Sequence, residues 1–300
     1  MEHPAELLVH AYLSDVRKGK ASMSDETITG IVKHVEAAVR RQFQTKNTRN
    51  FRLRASNIGR SLCQLWFQKN KPELASPPAS HFLLRMMIGD ITEAVFKGLL
   101  KEAGAKFEEP EKVETEIGGE VISGEYDLIL DNKVDDIKSA SPWSYRNKWL
   151  DGKNIEKHDS FGYVGQLQTY AKAKGVKAGG WWVINHSSGE FKYISYASDP
   201  DEVMTKLAKT VTTLKENTFS RCFKPIKEMF RGTPTGNYIL DTECKFCNFK
   251  HACWGEQLSE EPSRVSKAKD KPTVFYIDKD ANTHDAQLNS VVTKNLDAKI

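Results

Sequence analysis

Between Gly124 and Ala140 the chain reads GEYDLILDNKVDDIKSA. Two runs rich in β-branched and aliphatic residues flank Asp131-Asn132, a pair that accepts positive φ more readily than most. The pattern predicts strand, tight turn, strand. If Leu130 and Lys133 flank a turn made by Asp131 and Asn132, Asp127 falls opposite Asp136. If the turn moves to Asn132-Lys133, Asp127 falls opposite Lys138. Side chains alternate with a period of two, so in both registers Asp127, Asp136 and Lys138 share one face. A three-residue turn would break that parity. Tyr126, Leu128, Leu130 and Ile137 supply apolar contacts around the pair.

The rest of the chain frames this hairpin. ETITGIVKHVEAAVRRQF places Ile28, Ile31, Val32, Val35 and Val39 near a helical period, with Ser24 as N-cap. Residues 51–78 read as irregular or partly helical. His81–Ala103 reads as a long helix, apolar at Leu83, Leu84, Met87, Ile91, Val95, Leu99 and Leu100, and Gly104 is a natural stop. Short strands follow at Val113–Ile117, Glu120–Ser123, Tyr126–Leu130 and Val134–Lys138. Phe161–Lys174 returns to helix. Gly180–Asn185 and Phe191–Tyr196 pair across His186-Ser-Ser-Gly189. Asp199 caps a helix that begins at Pro200 and runs to about Asn217. Beyond Leu258 the chain is polar, and a mobile or weakly packed tail is expected there. Helix, antiparallel strands, helix, strands, helix implies an α/β fold: a mixed sheet flanked by helices.

At 300 residues the chain can form one large domain or two modest ones. No apolar run approaches the roughly 20 residues of a membrane span. The first residues lack a secretory signal, so a cytoplasmic location is expected. The net charge of +4 is modest, but nine Lys or Arg and no Asp or Glu lie between Arg40 and Lys71. A charge run is usually solvated surface; here it is also a candidate strip for phosphates, with Phe51, Trp66 and Phe67 available for stacking.

Two carboxylates held about 4.5–5.5 Å apart on one face repel each other. A divalent cation relieves that repulsion, and hard oxygens suit Mg²⁺ or Mn²⁺, which also bind phosphates. Lys138 beside them should keep its proton and act as a cation. Asp-x-Lys alone is common, however, and a surface ion pair is its ordinary meaning.

Five cysteines are present: Cys63, Cys222, Cys244, Cys247 and Cys253. An odd count in a chain of this type argues against a disulfide framework. Cys244-x2-Cys247-x5-Cys253 has the spacing of a zinc or iron–sulfur site. A fourth ligand is missing locally, and His251, Cys222 and Cys63 are the candidates.

The order and spacing of four elements resembles the PD-(D/E)XK nuclease superfamily, most closely its RecB-like branch. Gly89-Asp-Ile-Thr-Glu93 is similar to the first element, with Glu93 where many members have His. Gly124-Glu-Tyr-Asp127, Asp136-Ile-Lys138 and Gln166-Leu-Gln-Thr-Tyr170 match the next three. The upstream Leu53-Arg-Ala-Ser-Asn-Ile-Gly59 and Cys63, with the downstream trio, resembles the iron–sulfur subset, which includes AddB nuclease domains and the CRISPR-adaptation exonucleases. Cys63-Gln64-Leu65 departs from the Cys-Pro-Arg frequent there.

The resemblance implies a restriction-endonuclease-like core at 51–258; the N-terminal helical region at 1–50 and the polar tail at 259–300 lie outside it. It implies a DNA exonuclease in which Glu93, Asp127, Asp136 and the Ile137 carbonyl hold Mg²⁺ or Mn²⁺. Asp127, Asp136, Lys138, Glu93, Gln166 and Tyr170 form the catalytic set. Cys63, Cys244, Cys247 and Cys253 hold a 4Fe-4S cluster, with Zn²⁺ as the alternative; Cys222 is left as a core thiol. DNA is the expected partner. A phage-encoded stand-alone enzyme of the host cytoplasm fits the size. A structure-selective endonuclease, or a DNA-binding or assembly module that has lost activity, are the alternatives. Nothing in the sequence predicts an oligomer.

Overall fold

The computed structural model describes residues 3–44 and 50–278. Lys46 and Arg49 of the basic run, and positions 279–300 of the polar tail, lie outside the described residues. The chain opens with five helices, α1 (Pro4–Arg17), α2 (Asp25–Phe43), α3 (Ala55–Ile58), α4 (Leu62–Asn70) and α5 (Phe82–Glu102). Strands β1 (Phe107–Glu108), β2 (Lys112–Ile117), β3 (Glu120–Glu125), β4 (Leu128–Leu130) and β5 (Lys133–Ala140) follow. Helices α6 (Pro142–Asn147), α7 (Gly152–Lys157) and α8 (Tyr163–Lys174) lead to β6 (Lys177–Asn185), β7 (Phe191–Ser195) and α9 (Pro200–Glu216). The remainder is β8 (Ile226–Phe230), β9 (Thr233–Ile239), α10 (Thr242–Lys245), α11 (Lys250–Trp254), β10 (Leu258–Pro262) and β11 (Thr273–Ile277).

Two compact units result: Met1–Gly59 with Ala79–Thr212, and Arg60–Pro78 with Thr213–Ile300. The first is α/β. Its five-stranded sheet has the order β1-β4-β5-β6-β7. β5 and β6 run parallel and the other pairs antiparallel, so the sheet is mixed. The chain must cross over between the parallel pair, and α6–α8 make that crossing.

Alternation along β4, β5 and β6 sorts the core into two layers. Ile129, Val134, Trp181 and Val183 pack with Leu167 and Tyr170 of α8 and Val203, Leu207 and Val211 of α9. Leu128, Leu130, Ile137 and Trp182 face the other way, onto Ala5 and Val9 of α1 and Phe96 and Leu100 of α5. Trp181 and Trp182 are almost fully buried on opposite faces. Truncating either to Ala would cost about 3–5 kcal/mol.

The hairpin adopts the first of the two registers. Leu130 pairs with Lys133, Ile129 with Val134 and Leu128 with Asp135. Asp131 (φ 50°) and Asn132 (φ 58°) make the left-handed two-residue turn. The strand is shorter than expected at its start: Tyr126 and Asp127 precede β4.

The helix ends agree with their sequence signals. The Ser24 side chain accepts from Thr27 N, with Asp25 and Glu26 in the first turn of α2 and Arg40 and Arg41 in the last. Asp199 accepts from the N–H groups of Asp201 and Glu202 at the start of α9. The buried faces agree less well. On α2, Ile28, Val32 and Val39 are exposed, and Ala38 is buried instead. On α5, Leu83, Leu84, Ile91 and Val95 are exposed, while Ala94, Phe96 and Gly98 turn inward. The period holds, and the facing holds only in part: Met87 and Leu100 are buried as expected. A Cβ on Gly98 would sit 2.8 Å from Ile31 Cδ1, so small residues bring α2 and α5 together where large ones were expected.

The second unit carries an antiparallel sheet in the order β10-β11-β9-β8. This corrects the expectation of a loose tail from Leu258 onward. Thr273–Ile277 reads TVFYI, and Tyr276 and Ile277 are buried. The polarity of the surrounding residues hid this short β-prone run. Trp66 and Phe67 are also buried in this unit, packed on Phe219 and, for Phe67, on Phe249. They are core residues, not a stacking surface for a strand.

Candidate active site

Asp127 sits in the bend between β3 and β4, half-buried, and its Oδ2 accepts the Ile137 N–H at 2.7 Å. That bond ties the bend to β5. Asp136 and Lys138, two residues apart on β5, point to the same side. Lys138 Nζ lies 2.5 Å from Asp136 Oδ2. The contact is an ion pair that gives this buried oxygen the Lys138 ammonium as its partner. A buried carboxylate is costly unless a cation meets it, and Lys138 does so here.

Glu93 on α5 joins the same electrostatic group. Its charge, with that of Asp136, adds to burial in holding the Asp127 pKa well above the ordinary carboxylate range. Burial also raises Asp136, against the pull of Lys138. Burial works to strip Lys138 of its proton, but Asp136, Tyr163 and Asp127 outweigh it and raise its pKa. Lys138 is therefore a fixed cation at neutral pH. Glu93 is itself paired with Lys97, at 2.6 Å and one turn along α5.

Gln166 and Tyr170 share one face of α8, with Gln166 Nε2 donating to the Tyr170 hydroxyl at 3.3 Å. Tyr170 is buried, and burial pushes its pKa up to about 12, so it stays a neutral phenol. Its ring lies where a side chain on Gly124 would be. A Cβ there would stand 2.6 Å from Tyr170 Cε1 and 2.8 Å from Ala55 Cβ. The Gly of Gly-x-x-Asp thus makes room for the Tyr of Gln-x-x-x-Tyr. As the side chains stand, no three His, Cys, Asp or Glu among the described residues converge to grip a metal ion. The reason is visible: Asp127, Glu93 and Asp136 are turned respectively to Ile137 N, Lys97 and Lys138.

In the second unit one small cavity is lined by Cys63, Cys244, Cys247 and Cys253, with Phe67, Phe223 and Trp254 among its walls. Cys63 comes from α4, and the other three from the α10–α11 region. Cys222, expected to be a core thiol, is instead exposed. Its Sγ accepts the Cys63 N–H at 3.1 Å. His251 is exposed and 3.8 Å from Glu260, and is not part of the lining.

No family model matches this chain, and no curated protein does. Among solved structures, that of SSO0001 is similar over 77% of this chain and 98% of its own, at 18% identity and a TM-score of 0.40. A likeness that slight carries no argument, so the site's own geometry has to.

Two residues of the site, Lys97 and Tyr163, and one behind it, Asp135, were not singled out from the sequence. Lys97 has a legible signal, since Glu93-x-x-x-Lys97 is a helical ion-pair spacing. Tyr163, whose ring centre is 4.7 Å from Lys138 Nζ, has none. Asp135 points away from Asp136, where its carboxylate accepts from the Tyr193 hydroxyl (2.9 Å) and Trp182 Nε1 (3.1 Å). Burial pushes the Asp135 pKa up to about 7, against those hydrogen bonds. It braces β5 against β6 and β7 from the face opposite the site.

Proposed function

We propose that this chain is a Mg²⁺- or Mn²⁺-dependent deoxyribonuclease, a RecB-like member of the PD-(D/E)XK nucleases with a restriction-endonuclease-like core. The reading is of an exonuclease acting on single-stranded or end-containing DNA, in recombination, replication or DNA degradation. One observation carries it. Asp136 is buried on the same side of β5 as Lys138, in an electrostatic group that also holds Asp127 and Glu93.

These residues fit a hard divalent cation. Glu93, Asp127, Asp136 and the Ile137 carbonyl would hold it, after Glu93 leaves Lys97. When bound, the cation supplies Lewis-acid polarisation of a phosphodiester and a hydroxide near neutral pH. The chain's own groups do the rest. Lys138 keeps its proton, orients the attacking water and offsets charge developing on the phosphoryl oxygens. Gln166 and the neutral Tyr170 hydroxyl would donate hydrogen bonds to a phosphate. In-line attack by water would leave a 5′-phosphate.

The cysteine cavity suits a 4Fe-4S cluster held by Cys63, Cys244, Cys247 and Cys253, since four thiols with apolar walls match its ligand number. Anaerobically purified protein should be brown and contain iron; colourless protein with bound zinc would replace the cluster by Zn²⁺.

Digestion of end-labelled single- and double-stranded DNA with Mg²⁺ and Mn²⁺ in turn tests the enzyme reading. Lys138→Ala should abolish digestion and leave DNA binding intact. No metal-dependent digestion by the wild type would leave a DNA-binding or assembly module. Cleavage of covalently closed circles would make it an endonuclease.

A further inference from the structure

Two helices each carry a carboxylate and a cation one turn apart, and the two pairs differ in their surroundings. On α2, the side chains of Glu36 and Arg40 are 59% and 62% exposed. That pair is solvated surface and contributes little to stability. On α5, the side chains of Glu93 and Lys97 are only 24% and 10% exposed. Lys97 Nζ donates to Glu93 Oε1 at 2.6 Å and makes no other ion pair among the described residues. An ammonium taken that far from water depends on its partner.

Lys97 also belongs to the carboxylate group as a whole. Burial raises the pKa of Asp127 and Asp136, and the charges of Lys138 and Lys97 both pull the other way. The group thus holds two cations, Lys138 on Asp136 and Lys97 on Glu93. Lys97 further lines a cavity of about 150 Å³, with Gly30 and His34 of α2 and Glu109 after β1. Glu109 is exposed and, among the described residues, in no ion pair. The cavity is roomy enough to hydrate an ammonium that lets go of Glu93.

We propose that Lys97 is a positioning residue that competes with the divalent cation for Glu93. It is the resting partner of that carboxylate and releases it, toward the cavity, when the cation is held. The protein without metal then keeps Glu93 paired beside two other carboxylates. The cation binds more weakly than the three carboxylates alone would allow, because it has to displace an ion pair. The inference rests on the nuclease reading for the cation and its ligands, and its test needs no DNA.

The test is Mn²⁺ binding to the full chain without DNA, read from the paramagnetic resonance of the free ion. Lys97→Met keeps the apolar stem and removes the charge, and should tighten binding about five- to fiftyfold. Lys97→Gln, neutral and polar, should do the same. Glu93→Gln already lacks the contested carboxylate, so adding Lys97→Met to it should change binding by about twofold or less. A gain of equal size in both backgrounds would make Lys97 merely a distant positive charge and overturn the competition. Unchanged or weaker binding in both single Lys97 variants would overturn it too. Either result, in a protein whose wild type binds Mn²⁺ and digests DNA, leaves the nuclease reading standing. The expected pattern in a wild type that digests no DNA keeps the competition and removes the nuclease. A wild type that binds no Mn²⁺ overturns both.

Discussion

The carboxylate face and the cysteine cavity are assembled by different means. Asp127, Asp136 and Lys138 lie within twelve residues: alternation along β5 sets Asp136 and Lys138, and the bend before β4 brings in Asp127 through its bond with Ile137 N–H. Only Glu93 and the Gln166–Tyr170 pair arrive from other elements. The cysteines are gathered by chain return. Cys63 leaves with α4, the chain passes through the first unit, and Cys244, Cys247 and Cys253 come back about 180 residues later. The two also differ in electrostatic state. In the carboxylate group burial raises the pKa of Asp127 and Asp136, and the charge of Lys138 pulls the other way. The thiol group, Cys63 apart, is pushed toward the neutral form chiefly by burial. A site gathered locally can be strained without endangering the fold; a site that ties distant segments cannot.

Cysteine loss is the strongest way to break that comparison. Cys244→Ser, or iron chelation, should unfold the second unit at a cost of about 5 kcal/mol, by analogy with a cross-link closing so long a loop. Thermal melting and limited proteolysis after Pro78 and Thr213 would report it. A melt unaltered by iron removal would show that the sheet, not the cysteines, holds this unit.

Asp136→Asn should act in the opposite sense. Digestion should fall at least about a hundredfold, while stability at neutral pH stays level or rises. The asparagine keeps the side-chain shape and removes a buried charge, while Asp127 is left to face the Lys138 ammonium. A large drop in melting temperature would mean that the Asp136–Lys138 pair is a structural brace.

Gly124→Ala lies between these extremes. Its new methyl meets Tyr170 and Ala55 at sub-contact distances, so a loss of about 1–3 kcal/mol is expected in urea unfolding. Displacement of Tyr170 should lower activity beyond that. A neutral result would show that Tyr170 does not need its seat on β3. The smallest change is Cys222→Ser. The serine oxygen can still accept the Cys63 N–H, and Cys222 does not line the cavity. Stability should shift by no more than about 0.5 kcal/mol, with iron content unchanged. Loss of iron would make Cys222 a ligand.

Much of the layout was legible because it rests on local rules. The Asp131-Asn132 turn, the register it sets, the Ser24 and Asp199 caps and the long helix before the strands are each decided within a few residues. So is the shared side of Asp136 and Lys138 on β5; Asp127, expected on the paired strand, comes instead from the bend before β4. The motif order also pointed to Gln166, Tyr170 and the four cysteines, though it said nothing of what each would touch.

What the sequence by itself determined is the alternation and period of each element, because those follow from backbone geometry at 2.0 or 3.6 residues per repeat. Which face meets the core was decided only by tertiary structure. Val32 and Leu84 are exposed where their helices look apolar, and Ala38 and Gly98 are inside, because close helix packing selects for small volume as well as for hydrophobicity. Tertiary structure also seated Tyr170 in the space left by Gly124 and buried Trp66 and Phe67. Each depends on which distant segment arrives to fill a given volume, and no local pattern encodes that.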